Sequence, residues 1–241
     1  MEVRELTTKN EFERCVELQR TEWGWGDLDI VPVRSFVVTA NTGGVTLGAL
    51  VEDRVIGFIN TMPALRDGAP YWYSRMLGID RKYRSRGVGT LLKRTQREFG
   101  LKRGIRLIEW TFDPLESKNA HLNLEKLGVI IRRYYVNHYG YTSSHLQRSM
   151  ESDRLVAEWW LEKKRPVIVG ERRRVRVPSD IQLVKDRSVD EAVEIQLRVR
   201  AEFEQHFADD YMVVGFERLD NDQSEYVLSS AEGTEYANRE S

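Results

Sequence analysis

Arg81-Lys82-Tyr83-Arg84-Ser85-Arg86-Gly87-Val88-Gly89-Thr90-Leu91-Leu92-Lys93-Arg94 gathers six basic residues around two glycines and then turns apolar. Upstream, Met76-Leu77-Gly78-Ile79 reads as the end of a strand. Downstream, Leu91, Leu92, Thr95 and Phe99 recur at helical spacing up to Gly100. A strand that enters a glycine turn and leaves as a helix aims backbone N–H groups and the positive end of the helix dipole at one spot. Glycine lets a phosphate approach that backbone with no Cβ in the way. The ligand expected here is a phosphate or a diphosphate.

Spacing separates the phosphate loops that compete for this stretch. A Walker A loop needs Gly-Lys-Ser/Thr, and Gly89 is followed by Thr90-Leu91-Leu92. A dinucleotide fingerprint needs a third glycine or alanine where Leu92 stands. What remains is Arg84-Ser-Arg-Gly-Val-Gly89, which fits Arg/Gln-x-x-Gly-x-Gly/Ala.

The rest of the chain sets this turn in an α/β frame. Val3 to Leu6 reads as a short strand, and Thr8 caps a helix through Phe12, Cys15 and Val16. Glu22-Trp-Gly-Trp-Gly-Asp27 reads as a loop that either walls a cleft or plugs the core edge. Thr46–Val51 and Val55–Thr61 form a hairpin, and Tyr71–Ile79 a third strand. After the glycine turn and its helix, Arg106–Phe112 is a strand, so the crossover implies a parallel or splayed pair. Lys118–Leu127 is a helix stopped by Gly128, with a strand from Val129 to Val136. Beyond Met150, Arg154–Leu161 is strand or helix, Lys163–Val177 is a charged, exposed stretch, and Val189–Phe207 is a long helix. Two strands follow, Tyr211–Phe216 and Glu225–Leu228, and the last dozen residues look frayed.

Composition bounds the function. With 241 residues, 31% charged, 41% hydrophobic and a net charge of −1, the chain suits a soluble globular protein and not a general polyanion binder. The one cysteine, Cys15, forms no internal disulfide and reads as core. No apolar run approaches the roughly 18 residues of a membrane span, and Met1-Glu-Val-Arg-Glu5 lacks a signal-peptide core. A cytoplasmic protein with no membrane partner is expected. His121, His138, His145 and His206 lack zinc-like spacing, so no metal is expected. The Arg172–Arg176 cluster lacks interleaved aromatics, so no nucleic acid is expected either.

The stretch "MLGIDRKYRSRGVGTLL", Met76 to Leu92, resembles the acyl-coenzyme A binding motif of the GNAT (Gcn5-related N-acetyltransferase) superfamily. Asn119-Ala120 through Glu125-Lys-Leu-Gly128 is similar to that family's second helix, and the order of elements over residues 1–140 agrees. The chain also resembles a branch with a long C-terminal extension, marked here by Asn137-His-Tyr-Gly140 and Ser152-Asp-Arg154, some of whose members are associated with amino-acid N-succinylation.

The resemblance implies a mixed, splayed central sheet flanked by helices, with a catalytic domain over 1–162 and an αββ extension over 163–241 that completes the sheet, covers the acceptor cleft or makes a homodimer. It implies that the N–H groups of Arg86, Gly87, Val88, Gly89 and Thr90 wrap the pyrophosphate, with the side chains of Arg84 and Arg86, and Lys82 and Lys93 further out, on the remaining phosphate oxygens. Backbone groups of Leu77 and Ile79 would pair with the pantetheine amides, and Asn119 and Asn123, four apart on one helix face, would contact the pantetheine or thiol.

Attack in this superfamily is direct, so no nucleophilic Cys or Ser is needed. The usual general-acid tyrosine is replaced by Leu124, so either Tyr134, Tyr135 or Tyr139 takes the role, Tyr139 foremost, or the thiolate leaves with help from water and backbone dipoles. Asp113 and Glu109 are the candidate bases, with turn capping the alternative role of Asp113. Arg75 or Arg154 would suit the carboxylate of an amino-acid acceptor, and Trp25 would line the cleft. The expected activity is acyl transfer from acetyl-CoA to a small amine or amino acid. The alternatives are succinyl-CoA as donor and a non-catalytic CoA sensor.

Overall fold

The computed structural model describes residues 1–141, 143–163, 170–232, 234 and 236. The fold is mixed α/β with an unclosed, splayed sheet and flanking helices, and additional strands follow in the C-terminal part. Two compact units are present: Met1–Trp110 with Thr142–Leu146 and Trp160–Glu162, and Thr111–Tyr141 with Gln147–Trp159 and Lys163–Ser241.

In the first unit β1 (Glu2–Glu5), β2 (Val45–Val51), β3 (Arg54–Arg66) and β4 (Ala69–Ile79) form an antiparallel run. β5 (Leu107–Phe112) joins β4 in parallel, with Trp72 opposite Ile108 and Tyr73 opposite Glu109. Those two pairs are the whole of the β4–β5 register, so β4 from Ser74 onward parts from β5.

Helix α1 (Lys9–Trp23) begins with a capping box: Thr8 Oγ1 accepts from Glu11 N, while Glu11 Oε2 accepts from Thr8 N at 2.9 Å. Its Phe12, Cys15 and Leu18 pack with Phe36, Leu50, Phe58 and Met76 into one buried cluster. Phe36 lies on α2 (Val33–Asn41), a helix that the sequence reading passes over. Helix α3 (Val88–Lys102) packs on the other face, since Gln96 donates to Thr61 Oγ1 at 2.6 Å and Thr61 alternates with Phe58 along β3. Gly100 does not end α3 as expected. It lies within the last turn, where a Cβ would meet Leu161 Cδ1 at a tight 3.3 Å.

In the second unit β6 (Ile130–Tyr135), β7 (Arg154–Trp160), β8 (Arg173–Pro178), β9 (Tyr211–Arg218) and β10 (Gln223–Ser230) are ordered β7-β6-β9-β10-β8. Residues 173–178 are therefore a strand and not the exposed stretch expected. Val175 and Val177 point inward and are fully buried, with Arg174 and Arg176 alternating outward. Helix α4 (Ser117–His121) continues as a π-helical turn, Leu122–Leu127, ended by Gly128 at φ 72°. Helices α5 (Ile181–Arg187) and α6 (Val189–Ala208) follow. Asp153, 1% exposed, accepts from Tyr134 Oη, Asn137 N and both Nε and Nη2 of Arg200, which ties α6 to the β6–β7 link. The frayed tail expected for the final residues falls mostly outside the described residues.

Candidate cofactor and acceptor sites

In the first unit, Asp80 closes β4 and caps a short 3₁₀ turn, Arg81–Tyr83, by accepting from Lys82 N. The backbone then turns left-handed at Ser85 (φ 59°) and again at Gly87 (φ 80°), which is the N-cap of α3. Gly87 makes no side-chain cap, so the first N–H groups of a 15-residue helix are left for solvent or a ligand. A Cβ on Gly87 would meet nothing within 4 Å, so the space in front of those amides is open. An uncapped helix start with open space before it can take a phosphate group.

The basic side chains around the turn are engaged differently from expectation. Arg84 donates through Nη2 to Glu22 Oε2 at 2.7 Å and through Nε to Ile79 O at 3.1 Å. Glu22 is buried at the end of α1, so Arg84 clamps the turn to that helix while its side chain stays about half exposed. Lys93, expected near the phosphates, is instead 2% exposed, with Nζ 3.0 Å from Ser74 Oγ and 3.3 Å from the Trp110 ring centroid. Burial pushes its pKa well below the usual lysine range. Arg86 is exposed, its guanidinium 5.7 Å from the Tyr83 ring.

Leu77 and Ile79 sit opposite Ile59 and Gly57 of β3, in the half of β4 that β5 has left. Arg75 precedes them at a register shift: Asn60 opposes Met76 and Thr61 opposes Ser74, so Arg75 is the extra residue. Its Nε donates to Asn60 Oδ1 at 3.1 Å, and Asn60 Nδ2 donates to Thr46 Oγ1 at 2.9 Å. Trp25 is half-buried beside Trp23, ring centroids 4.5 Å apart, and both pack against the cluster around Phe58. The tryptophan pair thus seals the edge of the core. Glu109 is ion-paired with Arg66 at 2.5 Å.

In the second unit, Asp113 Oδ1 accepts from Leu115 N at 2.8 Å, which caps the turn after β5. Asn119, on α4, is exposed, and Asn123, in the π-helical turn that follows, is buried. Leu124 is fully buried, so that position serves packing.

The tyrosines also separate. Tyr134 donates its hydroxyl proton to Asp153 Oδ2 at 2.7 Å, and burial together with that carboxylate pushes its pKa far up. Tyr139 is half exposed, with its hydroxyl 2.8 Å from Thr111 Oγ1, its N–H on Ser152 Oγ and the Arg154 guanidinium 5.4 Å from its ring. His138 lies against Tyr139, and its pKa is lowered by burial and by the charge of Arg154. Arg154 and Tyr139, singled out separately in the sequence, are thus brought into contact.

Among the described residues no group of three or more His, Cys, Asp or Glu could hold a metal ion, and no helix is long and apolar enough to cross a membrane.

A sheet that opens after two parallel pairs, next to a helix with bare N-terminal amides, is the framework of an acyl-CoA-dependent N-acetyltransferase. Solved structures share it. An aminoglycoside 6'-acetyltransferase type Ii superposes with a TM-score of 0.54 at 20% identity, covering 68% of this chain and 99% of that one. An aminoglycoside 6'-N-acetyltransferase complexed with coenzyme A gives 0.52 at 19%, covering 69% and 100%. The ribosomal-protein-S18-alanine N-acetyltransferase from Escherichia coli gives 0.53 at 13%, covering 70% and 99%. No curated protein sequence matches significantly. The profile of the acetyltransferase (GNAT) family matches residues 9–129, and the chain belongs to that family. It is an acyltransferase that takes acyl-CoA as co-substrate and an amine as acceptor.

Proposed function

We propose that the protein transfers an acyl group, acetyl in the first instance, directly from coenzyme A to the amine of a small molecule, and that residues 1–162 carry this activity with 163–241 as an extension. The observation that carries the reading is the uncapped, open turn at Gly87 beside the half of β4 that β5 leaves. The amides of Arg86 to Thr90 hold the pyrophosphate, and Leu77 and Ile79 offer backbone groups to the pantetheine as an added strand would.

The amine attacks the thioester carbonyl, the C–S bond breaks, and the thiolate takes up a proton. Cys15 takes no part, because burial pushes its thiol far up and leaves no thiolate. For the two proton transfers we assign Asp113, whose Oδ2 has no hydrogen-bond partner among the described residues, as base and Tyr139 as acid. Asn119 and Asn123 belong to the cofactor side of this reading, and Trp25 and Arg154 to the acceptor side.

A thiol-release assay with acetyl-CoA and succinyl-CoA against a panel of amines and amino acids tests the reading. At least one acceptor should accelerate release and yield the N-acyl product by mass spectrometry. Tight CoA binding with no turnover on any acceptor would overturn it.

A further inference from the structure

Among the described residues no carboxylate pairs with Arg75. Its Nε is held by Asn60, itself fully buried and anchored on Thr46, so the chain Arg75–Asn60–Thr46 crosses three strands and fixes the guanidinium. Nη2 is shielded from solvent and has no acceptor, and neither terminal nitrogen is paired with a carboxylate among the described residues. Burial lowers its pKa, and no neighbouring charge opposes that effect. An arginine keeps its proton regardless, so a half-buried guanidinium with an idle fork is costly unless an anion arrives. The contrast with the same unit is plain: Arg66, Arg84 and Arg14 each hold a carboxylate, on Glu109, Glu22 and Asp80.

Its place matters as much as its charge. Arg75 is the extra residue of the β4 bulge, one position before Met76–Ile79, the stretch that β5 leaves. Asn60 shares the parity of Phe58 along β3, so the guanidinium is tied to the α1 and α2 face, where Trp25 packs, and away from the α3 face that carries Lys93.

We propose that Arg75 is the carboxylate-recognising group of this enzyme, and that the acceptor is an amino-carboxylate whose carboxylate docks on the end of the guanidinium. This rests on the acyltransferase reading above. Docking brings the two carboxylate oxygens onto Nη1 and the idle Nη2, the fork-to-fork geometry that a planar guanidinium matches, with the side chains that shield Nη2 moving aside. Asn60 fixes the orientation by keeping Nε occupied. A terminal carboxylate on the acyl group would present the same chemistry from the donor side.

The test compares matched ligands that differ only in the carboxylate. Each of the common amino acids is paired with its carboxamide as acceptor with acetyl-CoA, and succinyl-CoA is paired with butyryl-CoA as donor with a neutral amine. The wild type should prefer the acid over the amide by at least about 50-fold in kcat/KM. In Arg75→Gln, which keeps a donor for Asn60, that ratio should fall toward one, and Arg75→Lys should recover part of it. A preference confined to succinyl-CoA would move the carboxylate to the acyl group and overturn the acceptor assignment. Equal use of acid and amide by the wild type, or equal losses on both in Arg75→Gln, would overturn the role of Arg75 altogether. Calorimetric titration of the same acid and amide pairs into CoA-loaded protein reads the contrast without turnover. If no acceptor reacts, the acyltransfer reading fails, while the binding ratio still decides Arg75.

Discussion

Replacing Gly87 by alanine separates backbone strain from ligand contact. Gly87 sits at φ 80° with nothing within 4 Å of the added Cβ, so no steric clash with the protein contributes. The folding cost is that of a left-handed L-residue, about 1–2 kcal/mol. For a chain of this size that lowers Tm by roughly 2–8 °C. Gly68, in the β3–β4 turn, has φ 74° and equally open surroundings, so Gly68→Ala should cost the same. Affinity for CoA then distinguishes them. The new methyl enters the space in front of the α3 amides, and losing one or two amide bonds to a charged phosphate, each about 1.5–3 kcal/mol, weakens binding by about 10-fold to more than 1,000-fold. Calorimetry with CoA on both variants reads this directly. Equal affinity in Gly87→Ala and the wild type, with Tm lowered as expected, would refute the phosphate-turn argument.

Other outcomes follow from the same geometry. Asp113→Asn keeps the Leu115 cap, so it should leave Tm nearly unchanged while lowering kcat about 100-fold or more; unchanged kcat would leave Asp113 a capping residue only. Tyr139→Phe removes a half-exposed hydroxyl and should lower kcat by a similar factor with little effect on CoA affinity, as steady-state kinetics would show. Arg84→Ala strands the buried Glu22 carboxylate, leaving it, among the described residues, only Arg81 at 4.0 Å, and should cost about 1–3 kcal/mol in urea denaturation, most of it recovered by adding Glu22→Gln. Burial alone would raise the Glu11 pKa, but the N–H groups of Thr8 and Thr7 and the Arg4 guanidinium hold it down to about 2. A depressed carboxylate contributes stability above its ordinary value of 4.5 and loses it as pH falls toward 2. Glu11→Gln should therefore show a shallower loss of stability across that window than the wild type.

The parts of the fold that were legible in the sequence are those where one residue carries the backbone geometry. Thr8 with Glu11 three positions on marks a helix start, and Gly87 and Gly128 mark turns with positive φ. The α2 helix was hidden because Val33, Val37, Val38 and Thr39 favour strands, and its formation rests on burying Phe36 and Thr39. β8 was hidden by its arginines, although the alternation of Arg174, Val175, Arg176 and Val177 is strand-like. The π winding after His121 has no composition of its own, so it could not be read from spacing.

The site divides along the same line. The turn at Gly87 is local and was readable, whereas the fates of Arg84 and Lys93 depend on partners 62 and 19 positions away. Arg75 was readable as a cation on a strand. Its idle fork needed the structure, because the lack of a partner is a property of packing.

The most direct test of the account is a backbone amide NMR titration of the protein with CoA and, separately, with pantetheine, which lacks the diphosphate. CoA should shift the amide signals of Gly87, Val88, Gly89 and Thr90 markedly, and pantetheine should leave them in place while perturbing Leu77 and Ile79. CoA binding with the Gly87–Thr90 amides unmoved would contradict the account.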